Sequence, residues 1–260
     1  EIILLHDMTS QEFKKRLHKQ QYRFSGEHSA VKICGWTKKS IKDQGVCYKE
    51  KFYGIESHRC IQVSQTVGYC HNRCIFCWRD LDLDETIEMP KQTDDPKTII
   101  DKSIEQHRKL LEGLWGDDEA NKKKLEEAMN PNQWAISLTG EPTLYPRLSE
   151  LIKILKERNN TVFVVSNGME PQALEKLEAP TQFYLSLDGP TKEIFNRVDI
   201  PKFEDGWERL MQSLDIMSKM KSRTALRITA IKSQNMSHPE KYAQLIEKAK
   251  PSVVEIKAYM

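Results

Sequence analysis

The sequence predicts an α/β fold built on a parallel sheet. Three observations carry that expectation. Six short apolar runs recur along the chain, amphipathic stretches of helical period lie between them, and several runs end in small polar turn residues. Strands alternating with helices are what right-handed crossover connections in a parallel sheet require. At 260 residues there is ample core for one large domain or two small ones.

The elements follow in order. Residues 11–33 read as a helix followed by an irregular basic segment, so residues 1–59 are expected to form an N-terminal extension wrapped on the sheet domain, residues 60–260. "CIQVSQTVG" (60–68) is the first strand, and 97–128 a charged amphipathic helix broken between Gly113 and Asp118, where Gly and Asp interrupt the period. "QWAISLTG" (133–140) is the second strand, then a helix over 146–158, and "TVFVVSNG" (161–168) the third strand. A short helix at 171–178 precedes "QFYLSLDG" (182–189), the fourth strand, and "TKEIFNRV" (191–198) is another short helix. Residues 205–221 form a clear amphipathic helix before "TALRITAIK" (224–232); a helix at 239–249 and the strand "SVVEIKAYM" (252–260) complete the series. Ending on a strand with no closing helix points to a missing C-terminal segment. No fixed-period repeat and no low-complexity linker interrupts the pattern.

Composition narrows the setting. The formal charge is +2, so the chain has no global polyelectrolyte character. No run of about 18 apolar residues offers a membrane span, and the start has no basic region followed by an apolar core, as a signal peptide would. A soluble, cytoplasmic protein is expected.

All six cysteines lie between residues 34 and 77. A chain this large needs no disulfide framework, so crowding of this kind reads as metal or redox chemistry. "VGYCHNRCIFCW" (67–78) carries Cys70, Cys74 and Cys77 as C-x3-C-x2-C. Structural zinc takes four ligands, and this loop offers three thiols. His71 lies between two of them and reads as an exposed imidazole pointing away. An iron–sulfur cube held by three cysteines leaves one iron open, which makes the array a reaction centre rather than a staple. In parallel α/β folds ligands bind beyond the carboxyl ends of the strands. Gly140, Glu141, Ser166, Asn167, Ser186 and Asp188 stand at successive strand ends. Each alone is ordinary turn chemistry; together they outline a site.

The C-x3-C-x-aromatic-C array, with Phe76 in the aromatic slot, resembles the signature of radical S-adenosylmethionine enzymes. The resemblance implies a partial (β/α)6 TIM-like barrel over residues 60–260. It also implies a 4Fe-4S cluster on Cys70, Cys74 and Cys77, whose open iron chelates S-adenosylmethionine for reductive cleavage to a 5′-deoxyadenosyl radical. "LTGEPTLYP" is similar to the family's GGE-type motif, with Thr139 in place of the first glycine, and puts Gly140 and Glu141 near the methionine amino group. Ser166, Asn167, Ser186 and Asp188 match ribose and carboxylate contacts, and Phe76 would pack near the adenine. Arg227 and Lys232 are weaker candidates on the fifth strand.

Cys34, Cys47 and Cys60 follow a C-x12-C-x12-C spacing immediately upstream. Three unrelated buried thiols are the plain alternative; equal spacing favours a second three-cysteine cluster. With "VCYKEKFYGIESHRCIQVSQTVGYCHNRCIFCWRD" (46–80), the paired arrays resemble the 4-demethylwyosine synthases, radical tRNA-modifying enzymes of wyosine biosynthesis. That resemblance implies an auxiliary 4Fe-4S cluster and a substrate, N1-methylguanosine-37 of tRNA(Phe). It further implies pyruvate as the two-carbon donor, with Lys49 as its Schiff-base residue and the auxiliary cluster's open iron as a rival or complementary anchor. The chain shows no flavodoxin module, so a separate flavodoxin- or ferredoxin-type electron donor is expected. Charge suits an RNA partner: residues 11–60 carry 12 Lys or Arg against 5 Asp or Glu, whereas 61–130 carry 10 against 15. Lys38, Lys39 and Lys42 are the candidate phosphate contacts. Two other readings stay open: a different two-cluster radical enzyme such as a peptide maturase, and a non-catalytic metal-binding RNA module.

Overall fold

The computed structural model describes residues 2–79, 81 and 89–259, of which 2–10 are described by backbone alone. Glu1 and Met260, the outer limits of the expected extension and sixth strand, lie outside the described residues.

The chain runs from α1 (Ile2–Lys19) through β1 (Arg23–Phe24), β2 (Ala30–Lys32), α2 (Gly35–Ile41) and α3 (Tyr48–Tyr53) to β3 (Cys60–Ser64). Then follow α4 (Pro96–Leu111), α5 (Lys122–Ala128), β4 (Gln133–Ile136), α6 (Leu148–Glu157), β5 (Thr161–Ser166) and α7 (Pro171–Glu175). The remainder is β6 (Gln182–Ser186), α8 (Lys192–Asp199), α9 (Gly206–Met217), β7 (Arg223–Ala230), α10 (Pro239–Ala249) and β8 (Val253–Ala258). One sheet holds the strands in sequence order. β3 to β8 pair in parallel, and β1 and β2 extend the β3 edge antiparallel. The result is an open, partial TIM-like barrel.

The two-residue period of the strands sorts side chains to two faces. Ile61, Trp134, Val162, Phe183 and Leu226 join Leu151, Leu155, Leu210 and Leu214 of the helices in the main core. Each such side chain contributes roughly 1.5–3 kcal/mol by leaving water. The alternate residues Phe163, Tyr184 and Ala225 face the barrel interior, packed with Ile55 of the extension and with Val253. This second face is where function has room.

The six expected parallel strands are all present, and the helix over 97–128 breaks as its sequence indicates. The strands are shorter than expected. "TVG", "LTG" and "SNG" are turns, because Gly68, Gly140 and Gly168 adopt φ of 88°, 72° and 78°, outside the strand region. The segment up to residue 33 expected to be irregular contains β1 and β2 instead, and the rest of the extension holds α2 and α3. Two to seven residues are too few to show a period. Pairing with β3 and packing of Ile33 and Ile41 against Leu111, Leu125 and Ala128 stabilise them. No helix among the described residues is long and apolar enough to cross a membrane.

Candidate active site

The loop after β3 carries Cys70, Cys74 and Cys77 as reduced thiols. Tertiary contacts pin this loop to the end of α8. Asn72 bridges to Pro201, Arg73 N donates to Ile200 O, Ile75 N to Val198 O, and Lys202 N to His71 O. Every sulfur has a polar neighbour. Asn167 Nδ2 lies 3.6 Å from Cys70 Sγ, Asp199 Oδ1 3.4 Å from Cys74 Sγ, and Arg79 Nε 3.0 Å from Cys77 Sγ. Burial, then the carboxylate of Asp199, pushes the Cys74 thiol well up. A thiolate at this position needs a cationic centre beside it.

That donor set fits a cluster better than a single ion. Zn–S bonds of about 2.3 Å would draw three sulfurs tightly together. Among the described residues, the group of three potential ligands gathered within 4.8 Å is Glu56, His58 and Glu127, not either cysteine trio. His58 already binds Glu127 at 2.7 Å, and Arg59 binds Glu56 at 3.0 Å, so that group is a satisfied ion-pair network.

His71 is buried, contrary to expectation. Its Nε2 meets Glu170 Oε1 at 3.0 Å and its ring lies 4.9 Å from that of Phe203. Its partner carboxylate, not a metal, explains its orientation. Asp199 was not legible in the sequence, since a lone Asp after a helix carries no motif.

The strand ends converge on the loop. Gly140 is required: a Cβ there would sit 1.9 Å from the Thr66 carbonyl oxygen, and φ is +72°. Thr139 O accepts from Ser64 Oγ at 2.6 Å, so its backbone is used as well. Glu141 is buried and accepts from Thr143 N, Thr143 Oγ1 and Ser166 Oγ on one oxygen and from Asn167 N on the other. Hydrogen bonds to a carboxylate contribute roughly 1.5–3 kcal/mol each. Glu141 therefore clamps the β4 and β5 turns, and its carboxylate is occupied in doing so. Asp188 accepts from Thr229 N, tying β6 to β7; burial pushes its carboxyl up to about 6. Ser186 and Phe76 are half-buried at the same end of the sheet. Arg227 stands on β7 in register with Ser186 and Glu255. Lys232 does not belong to that strand: β7 ends at Ala230, and Lys232 is exposed beyond it.

The extension builds a second group. Cys34 precedes α2 and Cys47 precedes α3, both with extended backbone, and Cys60 opens β3. Each of the three is within electrostatic reach of another, and burial pushes Cys60 up to about 12. Cys47 N donates to Ser57 Oγ at 2.9 Å and Ser57 N to Glu50 Oε2 at 2.8 Å, which locks α3 in place.

That lock puts Lys49 inside the barrel. The side chain is buried, with Nζ 4.2 Å from the Phe163 ring centroid and 5.2 Å from that of Tyr184. Among the described residues it has no ion pair. Burial lowers its pKa, Cys60 and Cys47 oppose the shift, and Lys257 reinforces it. Burial that disfavours the ammonium form is the setting in which a lysine can act as a nucleophile.

Of the three RNA candidates, Lys38 and Lys39 are exposed, and Lys39 Nζ lies 4.9 Å over the Trp36 ring. Lys42 is a different case. It is held by Asp117 at 2.7 Å and Glu119 at 3.0 Å, hydrogen bonds that raise its pKa. The acidic break between α4 and α5 pairs its charge, unlike those of Lys38 and Lys39.

A partial barrel with a three-cysteine loop beyond its first parallel strand defines a radical S-adenosylmethionine enzyme, and residues 64–246 match the Radical SAM superfamily. The S-adenosyl-L-methionine-dependent tRNA 4-demethylwyosine synthase of Pyrococcus abyssi is 46% identical over 254 residues, covering 96% of this chain and 74% of that protein. The Methanocaldococcus jannaschii enzyme is 42% identical, covering 97% and 81%. The chain belongs to the tRNA 4-demethylwyosine synthase family. A solved structure of TYW1 "with a lysine-pyruvate adduct bound" superposes with a TM-score of 0.88 at 42% identity, covering 96% of this chain and 80% of that one. A crystal structure of archaeal TYW1 gives 0.81 at 39%, covering 96% and 82%. The chain is thus an S-adenosylmethionine-dependent enzyme that forms the wyosine-type base in tRNA, using a 4Fe-4S cluster.

Proposed function

We propose that the enzyme closes the third ring by joining a two-carbon unit of pyruvate to N1-methylguanosine-37 of tRNA(Phe). Cys70, Cys74 and Cys77 hold the radical cluster, and Cys34, Cys47 and Cys60 a second 4Fe-4S cluster. Electrons come from a separate flavodoxin- or ferredoxin-type protein in the cytoplasm. The bound cofactors supply abstraction of a hydrogen atom from the substrate methyl group.

The chain's own contribution centres on Lys49, and its burial against Phe163 and Tyr184 beside Cys47 and Cys60 is the observation that carries this reading. Nζ adds to the C2 carbonyl of pyruvate. The carbonyl oxygen leaves as water with both amine hydrogens, and an imine remains. Phe163, Tyr184 and Ile55 keep bulk water from hydrolysing it. Glu141, Gly140, Ser166 and Asn167 shape the turns at the cofactor end, and Gly140 lets the Thr66 backbone approach. The adduct in the TYW1 structure supports the same assignment by similarity.

Borohydride reduction with labelled pyruvate should mark the peptide containing Lys49. Lys49→Ala should lose the label and the tricyclic base while still cleaving S-adenosylmethionine. Full product formation by that variant would remove the covalent role.

A further inference from the structure

We infer that Lys257 binds the carboxylate of the 2-oxo acid whose carbonyl is received by Lys49. The inference rests on the Lys49 reading above and assigns the other end of the same substrate. On β8, Val254 and Ile256 are exposed on one face, while Glu255 and Lys257 lie on the other, in register with Arg227 and Thr229 of β7. Val253, of the same phase, packs with Phe163, Tyr184 and Ala225, so this is the interior face. Lys257 Nζ lies 4.6 Å over the Tyr48 ring. Tyr48 Oη is 3.4 Å from Tyr184 Oη, and the Tyr184 ring bears Lys49 Nζ. The two amines therefore flank one pair of tyrosines, and the Lys257 charge is felt at Lys49.

Glu255 Oε1 holds Lys257 Nζ at 2.8 Å. That ion pair holds the ammonium near the interior face. With 39% of its side chain accessible, Lys257 still has N–H donors to offer an incoming anion. A carboxylate held on this face needs a cation. Pyruvate enters beside Glu255 and the sulfurs of Cys47 and Cys60, all negative or able to become so. Lys49 is consumed in forming the imine and cannot serve both ends of a three-carbon acid. Arg227 also stands on this face, and its charge lowers the Asp188 carboxyl at the cofactor end.

The test compares pyruvate with hydroxyacetone, the same ketone without a carboxylate, on the reconstituted enzyme. Equilibrium pyruvate binding and borohydride trapping at Lys49 are measured for wild type, Lys257→Met and Lys257→Arg. Loss of one charge-assisted contact should weaken pyruvate binding by about tenfold in Lys257→Met. Lys257→Arg should restore most of it, and hydroxyacetone trapping should stay near wild type in both. Unchanged pyruvate binding by Lys257→Met overturns the inference, and so does an equal loss with hydroxyacetone. Weaker tRNA binding with unchanged pyruvate binding also overturns it, reassigning Lys257 to a phosphate. If wild type gives no trapped adduct while pyruvate binding still depends on Lys257, the imine reading fails and the carboxylate anchor stands.

Discussion

Cys70, Cys74 and Cys77 come from one eight-residue loop, whereas Cys34, Cys47 and Cys60 each begin a different element. The loop trio is close by covalent connection, and its tertiary contacts with the end of α8 orient it. The extension trio is close through packing: α2 and α5 share a small core, and α3 is locked by Ser57 and Glu50. A site made within one loop tolerates loosening of its surroundings. A site assembled from three elements is only as well defined as the platform beneath it.

The largest effects should separate the trios by chemistry. Alanine at Cys70, Cys74 or Cys77 should abolish 5′-deoxyadenosine formation with the fold retained. Alanine at Cys34, Cys47 or Cys60 should leave that cleavage running and stop ring closure. Iron and sulfide content with a cleavage assay reads both, and near-normal cleavage in any loop variant would erase the distinction.

The platform itself should be acid-sensitive. His107 Nε2 meets Ala128 O at 3.2 Å, joining α4 to α5 below the extension trio. Burial lowers its pKa from 6.5 to about 4, so the folded state keeps it neutral while the unfolded chain protonates below 6.5. Its share of stability is complete above pH 6.5 and is lost as pH falls towards 4, about 3 kcal/mol over the window. The difference between wild type and His107→Gln in urea unfolding should change by that amount between pH 7 and pH 4. A constant difference would mean that His107 is not held neutral.

The smallest effect concerns RNA. Lys38→Ala with Lys39→Ala, on the helix that Cys34 begins, should lower the salt slope of tRNA binding by about 1.4, at roughly 0.7 per phosphate contact. Lys42→Ala should change it little, because Asp117 and Glu119 already hold that charge. A larger change from Lys42→Ala would reverse the ranking of the three lysines.

Much of this was legible before any coordinates. Strand and helix periods are local, so the six parallel strands and their crossovers could be read directly. The C-x3-C-x2-C spacing is also local, and it sufficed to distinguish an open cluster from a four-ligand zinc site. Lys49 could be named through the resemblance that the paired arrays carry.

What could not be read depends on partners distant in sequence. β1 and β2 are too short to carry a period and exist through pairing, β2 with β3 and β1 with β2. His71 is buried because Glu170 and Phe203 meet it, and Lys42 is neutralised by residues some 75 positions downstream. Glu141 is occupied by the β5 turn, and Asp199 reaches Cys74 across 125 positions. The sequence by itself determined the period of each element and the crowding of thiols able to bind a cluster. Only the tertiary structure decided which charges remain free, because burial and the approach of an opposite charge follow from packing between distant elements.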